Sequence, residues 1–203
     1  PVNTIFNTTL DEDTKSKVRE KYNLHLPFAL FVGTLEPRKN IPTLVRAFEE
    51  FHKCNNSELQ LVIVGKCGWL YEDIINSIKN SPEKNRIQYL NYIPETELPA
   101  IYLLSKFLIY PSLYEGYGVP VLEAMASGIP VITSNTSSLR EIAEGAAFLV
   151  DPANIEEIAN AIMKLCVNQP FCDELSKKGL ERIKLFNHKT AADKVLNIYK
   201  QLS

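Results

Sequence analysis

Six short runs of apolar, β-branched or aromatic residues recur along the chain at residues 28–32, 59–64, 87–90, 107–110, 131–134 and 147–150. The run at 107–110 reads Phe-Leu-Ile-Tyr, apolar on successive positions, and predicts a strand buried on both faces. Between the runs, apolar positions return with a helical period. Helices are expected around residues 44–51 after Pro42, 70–79, 95–104, 155–167 and 171–186, with a further one capped near Ser137 or Ser138. Pro120 suits the first turn of another helix and Gly128 its stop. A last helix is expected at 190–201, where Ala191, Val195, Leu196, Ile198 and Tyr199 would form an apolar face.

Strand and helix alternate, so the fold class is α/β: a Rossmann-like, doubly wound parallel sheet of about six strands with a helical tail. Right-handed crossovers place the reversal of strand order between the first strand and the fourth, and ligands of such sheets bind there, beyond the carboxyl ends of the strands. The unusual loops at 33–40, 65–69, 91–94, 111–118 and 135–138 each follow a strand, so all five should open onto one rim. With no repeat and no low-complexity linker, the chain reads as a single domain: a lead-in over 1–26, a Rossmann-like core over 27–168 and carboxyl-terminal helices over 169–203.

Lys and Arg total 22 against 24 Asp and Glu, a net charge of −2. No bulk field draws nucleic acid, and an anion site must be local. The four cysteines lack metal-type pair spacing and read as free thiols. The apolar runs are too short to span a bilayer, no signal peptide opens the chain, and the start at Pro1 reads as a piece of a longer polypeptide.

The chemistry concentrates in Glu115-Gly-Tyr-Gly-Val-Pro-Val-Leu-Glu123. Glu115 would sit on the loop leaving a strand and Glu123 about one turn into the next helix. The free N–H groups of that helix start would form a phosphate seat between them. Gly116 and Gly118 on either side of Tyr117 would permit close backbone approach, while the helix macrodipole alone is a sufficient reason for Glu123. Two hydroxyl-reading carboxylates flanking a phosphate seat suit a nucleotide sugar. In the first loop, Gly33-Thr-Leu-Glu-Pro-Arg-Lys-Asn40, Gly33 permits close approach, and Arg38 and Lys39 put two cations at the rim. The plain alternative is a solvated basic pair. Gly65-Lys-Cys-Gly-Trp69 matches no phosphate-loop fingerprint. Asp11-Glu-Asp13 reads as a solvated helix start, and His25, His52 and His188 have no catalytic neighbours in sequence. Lys177, Lys178, Arg182, Lys184 and Lys189 read as a solvated face, with anionic membrane contact as the minority reading.

These residues, together with Val64-Gly65, Tyr92-Ile-Pro94, Tyr110-Pro-Ser112, Ser127-Gly128-Ile-Pro-Val131 and Arg140-Glu141, resemble glycosyltransferase family 4, the retaining GT-B enzymes. The chain is similar to their carboxyl-terminal, donor-binding half. The resemblance implies that Glu115 holds hydroxyls of the transferred sugar and Glu123 those of the ribose. It further implies that backbone amides from Tyr117 to Val119 meet the diphosphate, that Lys39 adds positive charge, and that Gly33 lets the phosphates approach. Tyr92 and Ile93 would border the nucleobase, and Thr34, Gly65, Gly116 and Gly118 complete the donor-binding set. Many members carry Arg where this chain has Thr34; Arg38 is read as its substitute. The implied activity is retaining, metal-independent transfer of a hexosyl group, such as mannosyl, glucosyl or rhamnosyl, with no cofactor besides the nucleotide-diphosphate sugar. The acceptor, a glycan or lipid-linked molecule, would be held by an amino-terminal domain missing here. The implied location is cytoplasmic, at or near the inner face of a membrane. A separate nucleotide-sugar-binding subunit working with a partner chain is the alternative.

Overall fold

The computed structural model describes residues 4–7, 10–186 and 199. Six strands form one parallel sheet: β1 Phe28–Val32, β2 Gln60–Val64, β3 Ile87–Leu90, β4 Phe107–Tyr110, β5 Val131–Ser134 and β6 Phe148–Val150. Their order is β3-β2-β1-β4-β5-β6, so the chain winds outward in one direction from β1 and in the other from β4. The reversal falls between β1 and β4, where Ala29 faces Phe107 and Leu30 faces Leu108. Every residue of β1, β4 and β5 is buried. Continuous apolar runs therefore mark the centre of the sheet, because helices cover both of its faces.

The helices are α1 Glu12–Lys21, α2 Ile41–Cys54, α3 Glu72–Asn80, α4 Leu98–Leu104, α5 Val119–Ala126, α6 Ser137–Ala143, α7 Ile155–Val167 and α8 Gln169–Ile183. α2 packs on α3 and α7, α5 packs on α6 and α8, and α1 packs on α4. Short 3-10 turns occur at Thr4–Asn7, Pro37–Lys39 and Lys84–Arg86.

Four helix starts differ from the sequence reading. α2 opens at Ile41, with Pro42 inside its first turn and not ahead of it. α3 opens at Glu72 and not at residue 70, because Leu70 has φ of 51° and cannot join a right-handed helix. α4 opens at Leu98, after a turn closed by the Glu97 and Leu98 amides donating to the Pro94 carbonyl. α8 opens at Gln169, where the Asn168 side chain accepts from the Phe171 amide 3.1 Å away and caps the helix. The helix expected over 190–201 lies outside the described residues, apart from Tyr199.

At the rim, the backbones of the first two loops run side by side. The Gly33 amide donates to the Val64 carbonyl (2.8 Å), Leu35 to Lys66 (2.9 Å) and Gly68 back to Leu35 (3.0 Å). Gly65 has φ of 154°, and a Cβ there would stand 1.9 Å from the Gly33 carbonyl oxygen. Any side chain at 65 would drive the two loops apart.

Candidate functional site

The loops that follow β1, β4 and β5 are tied into one unit. The Leu113 amide donates to the Arg38 carbonyl (2.8 Å), and the Asn40 side-chain amide donates to the carbonyls of Pro111 (3.0 Å) and Pro152 (2.7 Å). The Glu115 amide donates to the Ser137 hydroxyl (3.1 Å), and the Ser138 hydroxyl donates to the Glu115 carbonyl (2.8 Å). Ser137 adopts φ of 51°. Read from the sequence as a helix cap, the serine pair instead fixes the backbone of Glu115, and α6 begins with no side-chain cap bond.

This clamp holds Glu115 at the centre of an ion cluster. Glu115 is 7% exposed as a residue, and its carboxylate accepts from three side chains. Lys39 Nζ (2.6 Å) and the Tyr110 hydroxyl (2.9 Å) reach Oε1, and Arg38 Nη1 (2.7 Å) reaches Oε2. Lys39 also donates to Tyr110. The Tyr110 ring stacks on Phe31 with centroids 5.4 Å apart. Arg38 Nε is held by Glu36 at 2.9 Å.

Burial pushes the Glu115 carboxyl upward, but the bonds and charge of Lys39, then Tyr110 and Arg38, outweigh it and hold it below the ordinary carboxylate range. Burial lowers the Lys39 ammonium, against the opposing pull of Glu115. Glu115 is thus an ionised acceptor at neutral pH. Two carboxylates and two cations balance within the cluster, and the Arg38 side chain, 41% exposed, is its most solvent-accessible arm apart from the backbone.

Glu123 occupies a separate position, one turn into α5. Its Oε2 accepts from the Tyr102 hydroxyl of α4 at 2.8 Å. Burial, with the charge of Glu95 added and the Tyr102 bond opposing, pushes its carboxyl up to about 7. Between the two carboxylates, Gly118 stands at the open end of α5 with φ of 78° and no side-chain cap bond. A Cβ on Gly118 would lie 2.6 Å from Leu139 Cδ2, so a side chain there would have to displace that methyl as well as adopt a left-handed backbone. Around Gly116 there is open space within 4 Å of a notional Cβ, and Tyr117 and Val119 are exposed. At Gly33 a Cβ would make only ordinary contacts, 3.5 Å to Lys39 Cε and 3.6 Å to the Phe31 ring.

Thr34 is exposed on the same loop. Gly65 lies on the adjoining loop, where its carbonyl accepts from the Tyr89 hydroxyl at 2.9 Å. Tyr92 is exposed with Lys66 Nζ 4.6 Å from its ring centroid. The Ile93 side chain is buried in the core, so that position offers a ligand its backbone alone. The structure therefore brings Arg38, Lys39 and Glu115 into direct contact, while Glu123 keeps its own partners. Sequence reasoning missed Glu36, Tyr110, Ser137, Ser138 and Tyr102. A tyrosine closing an otherwise apolar strand was the one available signal, at Tyr110.

Other candidates fall away from the rim. Asp11 caps α1 by accepting from the Thr14 amide at 2.7 Å. His52 contacts the Leu59 carbonyl at 3.1 Å and packs against Phe48 and Phe51, a structural role. In the basic stretch, Lys178 pairs with Glu174 (2.6 Å), Lys184 with Glu181 (2.7 Å), and Arg182 Nη2 donates to the Glu141 carbonyl (2.6 Å). The two lysine pairs fit a solvated helix face, whereas Arg182 reaches across to the end of α6, where its Nε also donates to the Ile142 carbonyl (3.1 Å). His188 and Lys189 lie outside the described residues. A cavity of about 570 Å³ between the end of α6 and α8 carries none of the predicted site residues. No helix among the described residues is long and apolar enough to cross a membrane.

Residues 12–182 match the family model for glycosyl transferases group 1. The chain is 33% identical over 186 residues to the O-antigen chain mannosyltransferase B of Escherichia coli, covering 91% of this chain and 49% of that protein. Among solved structures, it resembles sucrose-phosphate synthase from Thermosynechococcus elongatus at 30% identity and a TM-score of 0.78, over 92% of this chain and 48% of that one. It shares the fold of Anabaena HepE, solved in complex with UDP-glucose, at 18% identity and a TM-score of 0.84, over 98% of this chain and 56% of that one. The chain thus spans about half the length of the relatives named here.

Proposed function

We propose, for a chain that belongs to the group 1 glycosyl transferases, that this domain binds the nucleotide-diphosphate sugar in a retaining transfer of the family 4 type. The observation that carries the reading is the convergence at the β1/β4 reversal of Lys39, Arg38 and Glu115 beside the uncapped start of α5. Glu115, ionised and ringed by donors, accepts from hydroxyls of the transferred sugar. The diphosphate lies against the α5 amides from Tyr117 to Val119, and its negative charge draws Arg38 and Lys39 from their pairing with Glu115. Glu123 accepts from the ribose hydroxyls, and Tyr92 with the Ile93 backbone borders the base.

The chemistry such a site supplies is electrostatic. As the glycosidic bond to the diphosphate breaks, charge grows on the leaving phosphate, and the cations already drawn to the diphosphate on binding stabilise it together with the helix amides. No metal is assigned a part. The sugar is a hexosyl group; a mannosyl group is favoured by the named similarity to a mannosyltransferase. A glycan or lipid-linked acceptor is held by an amino-terminal domain facing this rim, a reading supported by the half-length match to the relatives. Residues 1–203 form the single donor-binding domain, and the reaction takes place in the cytoplasm.

A thermal-shift panel of nucleoside diphosphates and their sugars tests this. A ligand that binds the native state raises the unfolding temperature. The expected result is a shift for one nucleoside diphosphate and a larger one for one of its sugars. No shift with any nucleotide at millimolar concentration would refute the proposal.

A further inference from the structure

Glu123 is held by a residue outside the rim loops. Tyr102 of α4 is fully buried, and its ring meets Phe6 edge-on with centroids 5.5 Å apart. Its hydroxyl lies 2.8 Å from Glu123 Oε2 and 3.5 Å from the Pro120 carbonyl at the head of α5. A ring packed this way leaves its hydroxyl a single location. An ionised carboxylate offers about four acceptor sites, and Tyr102 occupies one, on Oε2. No described residue donates to Oε1.

We propose that Tyr102 is the positioning residue for Glu123: its phenol O–H fixes the carboxylate and engages Oε2, so that Oε1 faces the vicinal diol of the ligand. The diol is the ribose 2′,3′ pair, which rests on the donor-binding reading above. Geometry gives the phenol a second effect. A buried carboxyl with Glu95 nearby would hold its proton into the neutral range, and the Tyr102 bond opposes this by stabilising the ionised acceptor. The groups that face this pair are Tyr102 from α4, Glu95 from the loop after β3 and, behind the phenol, Tyr110 at the end of β4. Tyr102 acts through Glu123 and touches no ligand itself.

The test measures binding of UDP and GDP and of their 2′,3′-dideoxy analogues to the full chain across pH 6–8.5. For whichever base binds, Tyr102→Phe should weaken the ribonucleotide about tenfold and leave the dideoxy analogue within about twofold, which also reports an intact fold. The pH midpoint of ribonucleotide binding should rise, because the ionised carboxylate has lost a donor. Installing 3-fluorotyrosine at position 102 keeps the hydroxyl, strengthens its donation and should lower the midpoint, so the proposal stays testable should the phenylalanine variant misfold.

Glu123→Gln separates the two layers. If the wild-type chain distinguishes ribose from dideoxyribose and this variant erases the distinction, the ribose assignment stands. An unchanged midpoint in both Tyr102 variants, or equal weakening of both ligands by Tyr102→Phe, then overturns the positioning role alone. If the wild-type chain binds ribonucleotide and dideoxy analogue equally, the ribose assignment fails and the proposal with it.

Discussion

Removing the Lys39 ammonium while keeping its stem, as in Lys39→Met, deprives a nearly buried carboxylate of one of its three side-chain donors. Breaking a fully buried ion pair from one side costs about 3–5 kcal/mol. Here Arg38 and Tyr110 remain on Glu115, and the half-exposed Arg38 admits water, so the cost falls to about 2–3 kcal/mol. Glu115→Gln leaves the Lys39 charge buried without its counter-ion and should cost at least as much. Arg38→Ala removes a donor from the exposed side and should cost about 0.5–1 kcal/mol. Urea unfolding at a constant m-value reads all three. The double variant Lys39→Met/Glu115→Gln should be markedly less destabilised than the sum of the singles, since the two residues are in contact.

Acid adds an independent sign to this prediction. The Glu115 carboxyl is held below its ordinary value in the folded chain. Its stabilisation is therefore present above the unfolded-state value of about 4.3 and is lost as pH falls through the lower folded value. Glu115→Gln should flatten that acid limb. A Lys39→Met variant within about 0.5 kcal/mol of the wild type, with singles that add, would refute the cluster as a buried unit.

Arg38→Ala and Lys39→Ala should each weaken a nucleoside diphosphate more than the monophosphate, with Arg38→Lys a partial rescue because lysine lacks the bidentate fork; an Arg38→Ala effect below about 0.5 kcal/mol would leave Lys39 as the sole phosphate cation. Donor binding should persist in EDTA, and a large loss restored by magnesium or manganese would overturn the metal-independent site. Glu123 works opposite to Glu115: its carboxyl is raised to about 7, so the folded chain binds more protons than the unfolded between the two values. Stability should fall by about 3–4 kcal/mol as pH rises through that window and level off above it. Glu123→Gln should remove the slope, and an unchanged slope in that variant would assign it to another group.

Much of the architecture was legible in the sequence because the central strands are apolar on both faces. The runs at 28–32, 87–90, 107–110 and 131–134 coincide with β1, β3, β4 and β5, and the observed strand order has the expected reversal between the first and fourth strands. Helix starts were less legible, since Leu70 in a left-handed conformation carries no compositional warning. At the site, residue type and loop placement pointed to Arg38, Lys39, Glu115 and Glu123. Their partners were invisible for a physical reason. Glu36 acts through Arg38, the Ser137 and Ser138 hydroxyls reach across to a different loop, and Tyr102 meets Glu123 from another helix. Such contacts arise from how loops and helices close over the sheet, and no local pattern encodes them. Gly118 was read for ligand approach; its left-handed backbone and its packing on the Leu139 side chain add a local demand for glycine there.

The most direct test of a donor site built on two carboxylates is titration calorimetry of the full chain with a nucleoside diphosphate and with the corresponding nucleotide sugar, for the wild type, Glu115→Ala and Glu123→Ala. Glu123→Ala should weaken both ligands by about 1.5–3 kcal/mol, the range for a lost charged acceptor, because both carry the ribose. Glu115→Ala should spare the diphosphate and weaken the sugar-bearing donor. Equal losses for the two ligands in Glu115→Ala would contradict the assignment of Glu115 to the sugar, and with it the orientation of the donor across the β1/β4 rim.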